Sequence, residues 1–558
     1  RCTVFAKSDL IHRQQEGYTK SQMWSGLCRG LSQTILQTLF KGRPIQGRIL
    51  VAGGVSQNRE VIRWIGSIAA HAEVIANKSG HMLQAIGAAL LAYRTGGATE
   101  TFAAAVQSLR PLLVQMEASQ ERAPQDLASE PLTLRLSTYC SFEVEHASTD
   151  ENATEIRISA WPDPGTAVRG YLGIDIGSTS TKIVLVDETG RVLVDMYRKT
   201  LGDPIGAVRL LLGALERVQQ ERGTSVEVLG CATTGSGRKM MGMILGADLI
   251  INEITAHVRG GLIVDPDVET IFEIGGQDSK FIRLHKGEVV DSNMNYICAA
   301  GTGSFVEEQA NKLGYKVSEI GDLVMGVTPP PTSDRCTVFM EQDVNALIRK
   351  GYTPVEALAG IMRSVVKNYL NKVVGRRKFS RGKIAFMGAT ARNKGLVAAF
   401  ERHLDTPIVV SPYCHVMGAF GAAISVRERK LAEARPTTFK GLGILKKRID
   451  IRRETCRLCN NHCAVTFAGI EGEAHSPSWG YLCGRDPDEK KVRLRTEYAL
   501  FKTREKLLRE TGKVELPADA PAVGLPMSLT SYVYLPMWRR FFGELGYRVV
   551  TSGRTDEE

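Results

Sequence analysis

Several things are missing from these 558 residues, and each absence removes a class of function. No apolar run approaches the roughly 18–20 residues that a bilayer crossing needs, so no membrane role is expected. No leader peptide opens the chain, which starts Arg1-Cys2-Thr3-Val4-Phe5 without an initiator Met; a truncated or processed N-terminus is expected, in a cytoplasmic protein. No G-x-x-x-x-G-K-[ST] run is present, which excludes a Walker-type phosphate loop. The net charge of +11, gathered around residues 376–383, 446–453 and 490–509, accompanies no nucleic-acid-binding motif. It reads as solvated surface, or as a face for an acidic redox partner or a phosphorylated substrate. Eleven cysteines in a chain without an export signal argue for metal or redox use rather than a disulfide framework.

What is present begins with an internal repeat. Arg1-Cys2-Thr3-Val4-Phe5 recurs as Arg335-Cys336-Thr337-Val338-Phe339, and Gly17-Tyr18-Thr19 as Gly351-Tyr352-Thr353. Ile49-Leu50-Val51-Ala52-Gly53-Gly54 parallels Ile384-Ala385-Phe386-Met387-Gly388-Ala389. His81 and Gly87-Ala88-Ala89 parallel His415 and Gly421-Ala422-Ala423. The second copy has an upstream part, from Tyr171 to Asp334, that the first lacks. The first copy is therefore expected to have lost a front half that preceded Arg1.

Four short segments read as phosphate or nucleoside loops. Gly173-Ile174-Asp175-Ile176-Gly177-Ser178-Thr179-Ser180-Thr181-Lys182 is an apolar strand, a small polar turn and a β-branched return strand. Gly177 permits the tight turn, and Ser178, Thr179, Thr181 and Lys182 offer groups to phosphate oxygens. Asp175 suits the water shell of Mg²⁺. A second hairpin follows at 270–282, where Gly275 and Gly276 make the turn, and Gln277 and Asp278 stand where a group would orient water against a γ-phosphate. Gly301, Thr302 and Gly303 precede a helical pattern, so their amides are expected to face an anion. Gly388 and Ala389 follow a strand and suit packing against a nucleobase.

The order and type of these loops resemble the actin, Hsp70 and sugar-kinase superfamily. That resemblance implies two ribonuclease-H-like lobes closing on ATP, complete over residues 171 to about 427 and present as a second lobe only in residues 1 to about 94. Asn295 to Phe305, Thr255-Ala256-His257 and the run at 274–280 narrow it further. They resemble the activators of 2-hydroxyacyl-CoA dehydratases, related to the ATP-hydrolysing subunits of benzoyl-CoA reductases. In that family two cysteines per protomer share one [4Fe–4S] cluster across a two-fold axis. The resemblance carries this pair to Cys298 and Cys336, with Cys2 as the counterpart of Cys336 in the first copy. The repeats are then expected to form an internal pseudo-dimer. Helix N-termini near these cysteines favour thiolates. Cys28, Cys140, Cys231 and Cys414 are expected to be buried thiols.

After residue 442 the pattern changes. Cys456, Cys459, Cys463 and Cys483 form an uneven four-thiolate set, closer to iron–sulfur than to zinc spacing. Both a second cluster and zinc stay open, with His462 an alternative ligand. Residues 490–510 read as a basic helix, and 521–550 as strand, helix, strand, resembling the opening of a dehydratase-type module.

The expected architecture is α/β, with tandem actin/Hsp70-like ATPase domains. Residues 1–97 are the second lobe of a truncated first domain, 98–169 a bridging segment and 170–430 the complete second domain. Residues 431–515 are a Cys-rich and basic segment, and 516–558 a truncated dehydratase-like start. The resemblance implies ATP-dependent one-electron transfer, with Gln277, Asp278 and Asp175 as catalytic groups. Reduced ferredoxin or flavodoxin is the implied donor, and a separate or fused dehydratase-like iron–sulfur component the acceptor. A sugar or small-molecule kinase of the same fold, and a zinc-containing scaffold without redox work, are the rival readings.

Overall fold

The computed structural model describes residues 18–94, 130–295, 301–334, 337–457, 462–474, 476–481, 500–528 and 530–552, with isolated positions 10, 13, 107, 110 and 111. They divide into two compact units, Arg1–Gly480 and Tyr481–Glu558. Among the described residues no helix is long and apolar enough to cross a membrane.

Near the start of the first unit, β1 (Gly47–Val51) and β2 (Ala72–Ala76) pair in parallel. The helices Lys20–Phe40, Arg59–Ile68 and Leu83–Arg94 accompany them. Leu36, Val61, Ile65 and Ala69 make a small core of their own.

A seven-stranded sheet organises the next lobe, here lobe one. It is built from β3 (His146–Thr149), β4 (Glu155–Ile158), β5 (Ala167–Ile176), β6 (Ser180–Asp187), β7 (Val192–Lys199), β8 (Ser225–Thr234) and β9 (Leu249–Ile250). Their order is β3-β4-β7-β6-β5-β8-β9. β5, β6 and β7 form an antiparallel meander, while β8 runs parallel to β5 and β9 to β8. Near-continuous burial of β5 and β6 is what a sheet covered on both faces requires. The helix Pro204–Glu221 covers one face with Val208, Leu211, Leu212 and Leu215. Met417–Glu433 covers the other.

Lobe two repeats the plan. Its sheet holds β10 (Thr270–Ile274), β11 (Ser279–His285), β12 (Glu288–Asn295), β13 (Ile384–Met387) and β14 (Ile408–Val410), ordered β12-β11-β10-β13-β14. Read from each lobe's first meander strand, both sheets have the order third, second, first, fourth, fifth. Parallel additions follow a three-stranded meander in each, which is the ribonuclease-H-like arrangement. A helix reaches from one lobe to the other. Gly421 of Met417–Glu433 lies so close to the Glu253–Val264 helix that an added Cβ would overlap the Ala256 carbonyl. Gly173 on β5 likewise leaves no room between sheet and helix.

Residues 18–94 show the element order of the end of lobe two. Strand, 3₁₀ turn, helix, strand, 3₁₀ turn and helix run from Gly47 to Arg94 as they do from Ile384 to Glu433. Gly53 and Gly388 start the first turn at φ +79° and +93°. Asn58 and Asn393 cap the helix that follows. Thr19 with Gln22, and Thr353 with Glu356, form capping boxes at the preceding helices.

Residues 146–158, inside the stretch read as a bridge, supply β3 and β4 of the lobe-one sheet. Past residue 442, β15 (Ile449–Thr455), β16 (Ala464–Ile470) and β17 (Ser478–Trp479) make an antiparallel sheet. Its Ala468 and Ile470 pack into the lobe-one core.

In the second unit, β18 (Ala522–Leu525) and β19 (Arg548–Thr551) pair in parallel around the Leu535–Glu544 helix. That is the strand, helix and strand expected from the sequence. The Leu500–Glu510 helix lies within the expected basic helix, of which residues 490–499 fall outside the described set.

Candidate active site: a cleft between two hairpins

The two lobes enclose a cleft of about 400 Å³. Each meander delivers its hairpin turn to it. From lobe one come Asp175, Gly177, Ser178, Thr179 and Lys182; from lobe two come Gly275, Gly276, Gln277 and Asp278. Gly303, Gly388 and Ala389 complete the sequence-derived set along the wall. The hairpin tips meet closely, for a Cβ on Gly276 would lie 2.6 Å from Thr179 Oγ1.

Three expected residues do not line the cleft as the reading had them. Thr181 alternates to the opposite side of β6, where its buried hydroxyl pairs with Thr200 Oγ1 at 2.9 Å. Gly301 and Thr302 sit behind the wall. Gly301 adopts φ +84° against the Asn368 side chain, and Thr302 is fully buried. The expectation that the 301–303 loop aims amides at an anion is corrected at its helical end. The Gly303 and Ser304 amides donate to the Gly275 and Gly276 carbonyls, both at 2.9 Å. They brace the second hairpin instead.

The electrostatics join Asp278, Asp175 and Lys182 of the sequence reading to Lys280, Glu273 and Glu253, to which it gave no role. Lys280 on β11 is buried, with its Nζ 2.9 Å from Glu273, 2.9 Å from Asp278 and 3.1 Å from Glu253. Across the cleft Lys182 Nζ lies 3.0 Å from Asp175 Oδ2. Four carboxylates therefore face two lysines. Burial pushes Glu273 up to about 7, against the pull of Lys280. Burial also raises Glu253. Burial works to raise Asp278 too, but Lys280 and Lys182 hold it below the usual carboxylate range. His257 is pushed down to about 4 by burial and by Lys280, so it is neutral, and its Nδ1 has no partner among the described residues. Lys199 of lobe one pairs with Glu307 of lobe two, and both line the cleft. A surplus of carboxylate favours a phosphate chain that brings a divalent cation over a bare one.

The motif at 255–257 and the run at 274–280 were legible as pattern. A buried carboxylate such as Glu273, in the apolar strand Thr270–Ile274, was the available signal for the rest, since charges are seldom buried unpaired.

The cysteines divide. Cys2, Cys298, Cys336, Cys459 and Cys483 lie outside the described residues. Cys456 and Cys463 flank the connection between β15 and β16, where the Cys456 amide donates to the Cys463 carbonyl at 2.8 Å. Among the described residues no three His, Cys, Asp or Glu side chains group as a metal site. Cys231 and Cys414 are buried as expected, whereas Cys28 and Cys140 are half-buried. Cys414 also lines the cleft.

Comparison with known proteins gives this geometry a lineage. The model described as the BadF/BadG/BcrA/BcrD ATPase family matches residues 172–426. The (R)-2-hydroxyglutaryl-CoA dehydratase activating ATPase of Acidaminococcus fermentans is 32% identical over 254 residues, which are 45% of this chain and 95% of that protein. The chain belongs to the BadF/BadG/BcrA/BcrD ATPase family. A 2-hydroxyisocaproyl-CoA dehydratase activator of Clostridioides difficile is 32% identical over 256 residues, 45% of this chain and 93% of the relative. The crystal structure of the Acidaminococcus fermentans dehydratase component A superposes at a TM-score of 0.42, with 29% identity, over 47% of this chain and 98% of that one. The CoA enzyme activase uncharacterised domain (DUF2229) matches residues 522–558. The ATPase domain of this family member, about half of the chain, is thus the two-lobed α/β unit just described.

Proposed function

We propose that this chain couples ATP binding and hydrolysis to the transfer of one low-potential electron onto a dehydratase-like iron–sulfur protein. The observation that carries the reading is the meeting of two phosphate-type hairpins over one carboxylate-rich cleft, in a domain whose relatives are described as dehydratase activators. Gln277 and Asp278 stand at the γ-phosphate end and orient the attacking water. Asp175, with Glu273 and Glu253 facing it across the cleft, would hold Mg²⁺ through its water shell, since that cation keeps several waters, and the ion would neutralise phosphate charge. Lys182 and Lys280 balance the phosphate charge, and the Gly388–Ala389 turn meets the nucleoside.

A [4Fe–4S] cluster held by Cys298 and Cys336 would supply the one-electron step. Those cysteines precede the Gly303–Lys312 and Thr337–Arg349 helices, whose N-terminal ends favour thiolate and a negatively charged cluster. A reduced ferredoxin or flavodoxin loses the electron that the dehydratase-like acceptor gains. Hydrolysis itself moves no electrons; ATP supplies the driving force through conformational change, as closure of the lobes on it shifts the helices that follow the cysteines in the chain. We read residues 1–97 as the second lobe of a further ATPase domain, with Cys2 as its cluster ligand, on the strength of the shared element order. We read Cys456, Cys459, Cys463 and Cys483 as a second iron–sulfur or zinc site. Residues 516–558 are then part of a fused acceptor-type module.

Anaerobic iron, sulfide and zinc analysis with a visible spectrum, on the wild type and on Cys298→Ala, tests the reading. A brown protein that loses about one cluster's iron on substitution is expected. Iron content indifferent to the substitution, or a protein that stays colourless after reconstitution, would sink it.

A further inference from the structure

Residues 130–166 lie ahead of the family match, which begins at residue 172. The Acidaminococcus relative is almost wholly contained in its match to this chain, so neither comparison gives this segment a role. It grips both lobes. On lobe two Leu132 is buried in the core and exchanges backbone hydrogen bonds with Val327 (3.0 Å) and Gly326 (2.8 Å). The buried Glu401 carboxylate accepts the amides of Arg135, Leu136 and Ser137 at 2.7, 3.0 and 2.8 Å. On lobe one β4 pairs with β7, and β3 with β4.

Between these anchors the strap closes around one turn of the cleft wall, residues 389–393. The Tyr139 hydroxyl donates to the Ala391 carbonyl at 3.3 Å. The Phe142 ring lies 5.8 Å from the Arg392 guanidinium, and Arg392 donates to Glu155 at 2.9 Å. Arg157 locks the crossing by donating to the carbonyls of Phe142 (3.2 Å) and Pro412 (3.1 Å). The held turn is a single 3₁₀ turn outside the sheet ladder, the kind of segment that opens locally at little cost. Yet Ala389, Thr390, Arg392 and Asn393 all line the cleft.

We propose that this strap is a positioning element for the nucleoside end of the site. Tyr139 and Phe142 hold Ala391 and Arg392 so that the turn keeps its place against a bound nucleotide while the lobes move. The inference rests on the nucleotide-binding reading above. Its ligand class is a purine nucleoside di- or triphosphate, and Tyr139 and Phe142 act through the turn rather than on the ligand.

The test is stopped-flow release of N-methylanthraniloyl-ADP from the full chain, beside the melting temperature of each variant. Tyr139→Phe removes one hydrogen bond, and Phe142→Leu removes the ring contacts with Arg392 and Tyr139. Each is expected to speed release by about two- to tenfold, with melting unchanged. Asp150→Asn, which loses the Arg217 pair at the far end of the β3–β4 hairpin, is expected to leave release unchanged. Unchanged release in both Tyr139→Phe and Phe142→Leu overturns the proposal. Equal acceleration by Asp150→Asn also overturns it, since that marks general loosening. A wild type that binds no N-methylanthraniloyl-ADP overturns the proposal together with the nucleotide reading beneath it, and that outcome is visible before any variant is made.

Discussion

Glu273 is the residue whose chemistry is most exposed to pH. Its carboxyl, raised from 4.5 to about 7, stays protonated in the folded chain at pH values where the unfolded chain has lost the proton. The sign follows from linkage. Its contribution to stability declines as pH climbs from 4.5 through about 7, because ionisation is favoured first in the unfolded chain. The cleft gains negative charge over the upper part of that window. Binding of ADP without a divalent cation should therefore weaken between about pH 6 and pH 8, read by titration calorimetry. Glu273→Gln should flatten that profile. A profile equally steep in the variant would move the titration to another group.

At the scale of elements, two helices carry the same Gly-Ala-Ala trio in opposite circumstances. Gly421 in Met417–Glu433 is pressed against the backbone of the Glu253–Val264 helix, while Gly87 in Leu83–Arg94 has nothing within 4 Å of where a Cβ would stand. Gly421→Ala should destabilise the chain by about 1–3 kcal/mol through overpacking. Gly87→Ala should stabilise it by about 0.5–1 kcal/mol through helix propensity. Urea denaturation followed by circular dichroism checks both.

The same comparison shows what could be read before the fold was seen. The hairpins at 173–182 and 270–282 were legible because a glycine turn between β-branched runs is a local signal. The strap was not legible. His146–Thr149 is exposed along its length and carries no alternation, and it joins the sheet only through β4, whose own partner β7 lies some 40 residues further along the chain. Glu253 escaped notice for a similar reason, as its partner Lys280 comes from another element. Thr181 misled because motif membership does not say which face of a strand a side chain takes.

The whole molecule has two compact units, and only the first contains the cleft. ADP at about 100 times its Kd should stabilise that unit by about 2.7 kcal/mol. Differential scanning calorimetry should then show the main transition rising with ADP concentration, while a transition from Tyr481–Glu558 stays in place. A parallel rise of both would mean that the units melt as one.

The strap has one more consequence, for solubility. Without β3 and β4 the lobe-one sheet would end at β7, whose Val192-Leu193-Val194-Asp195-Met196-Tyr197 run would present open amides and carbonyls to any passing strand. Such an edge invites aggregation. The protein ends the sheet instead on a four-residue polar strand, His146–Thr149, too short and too wet to recruit another chain.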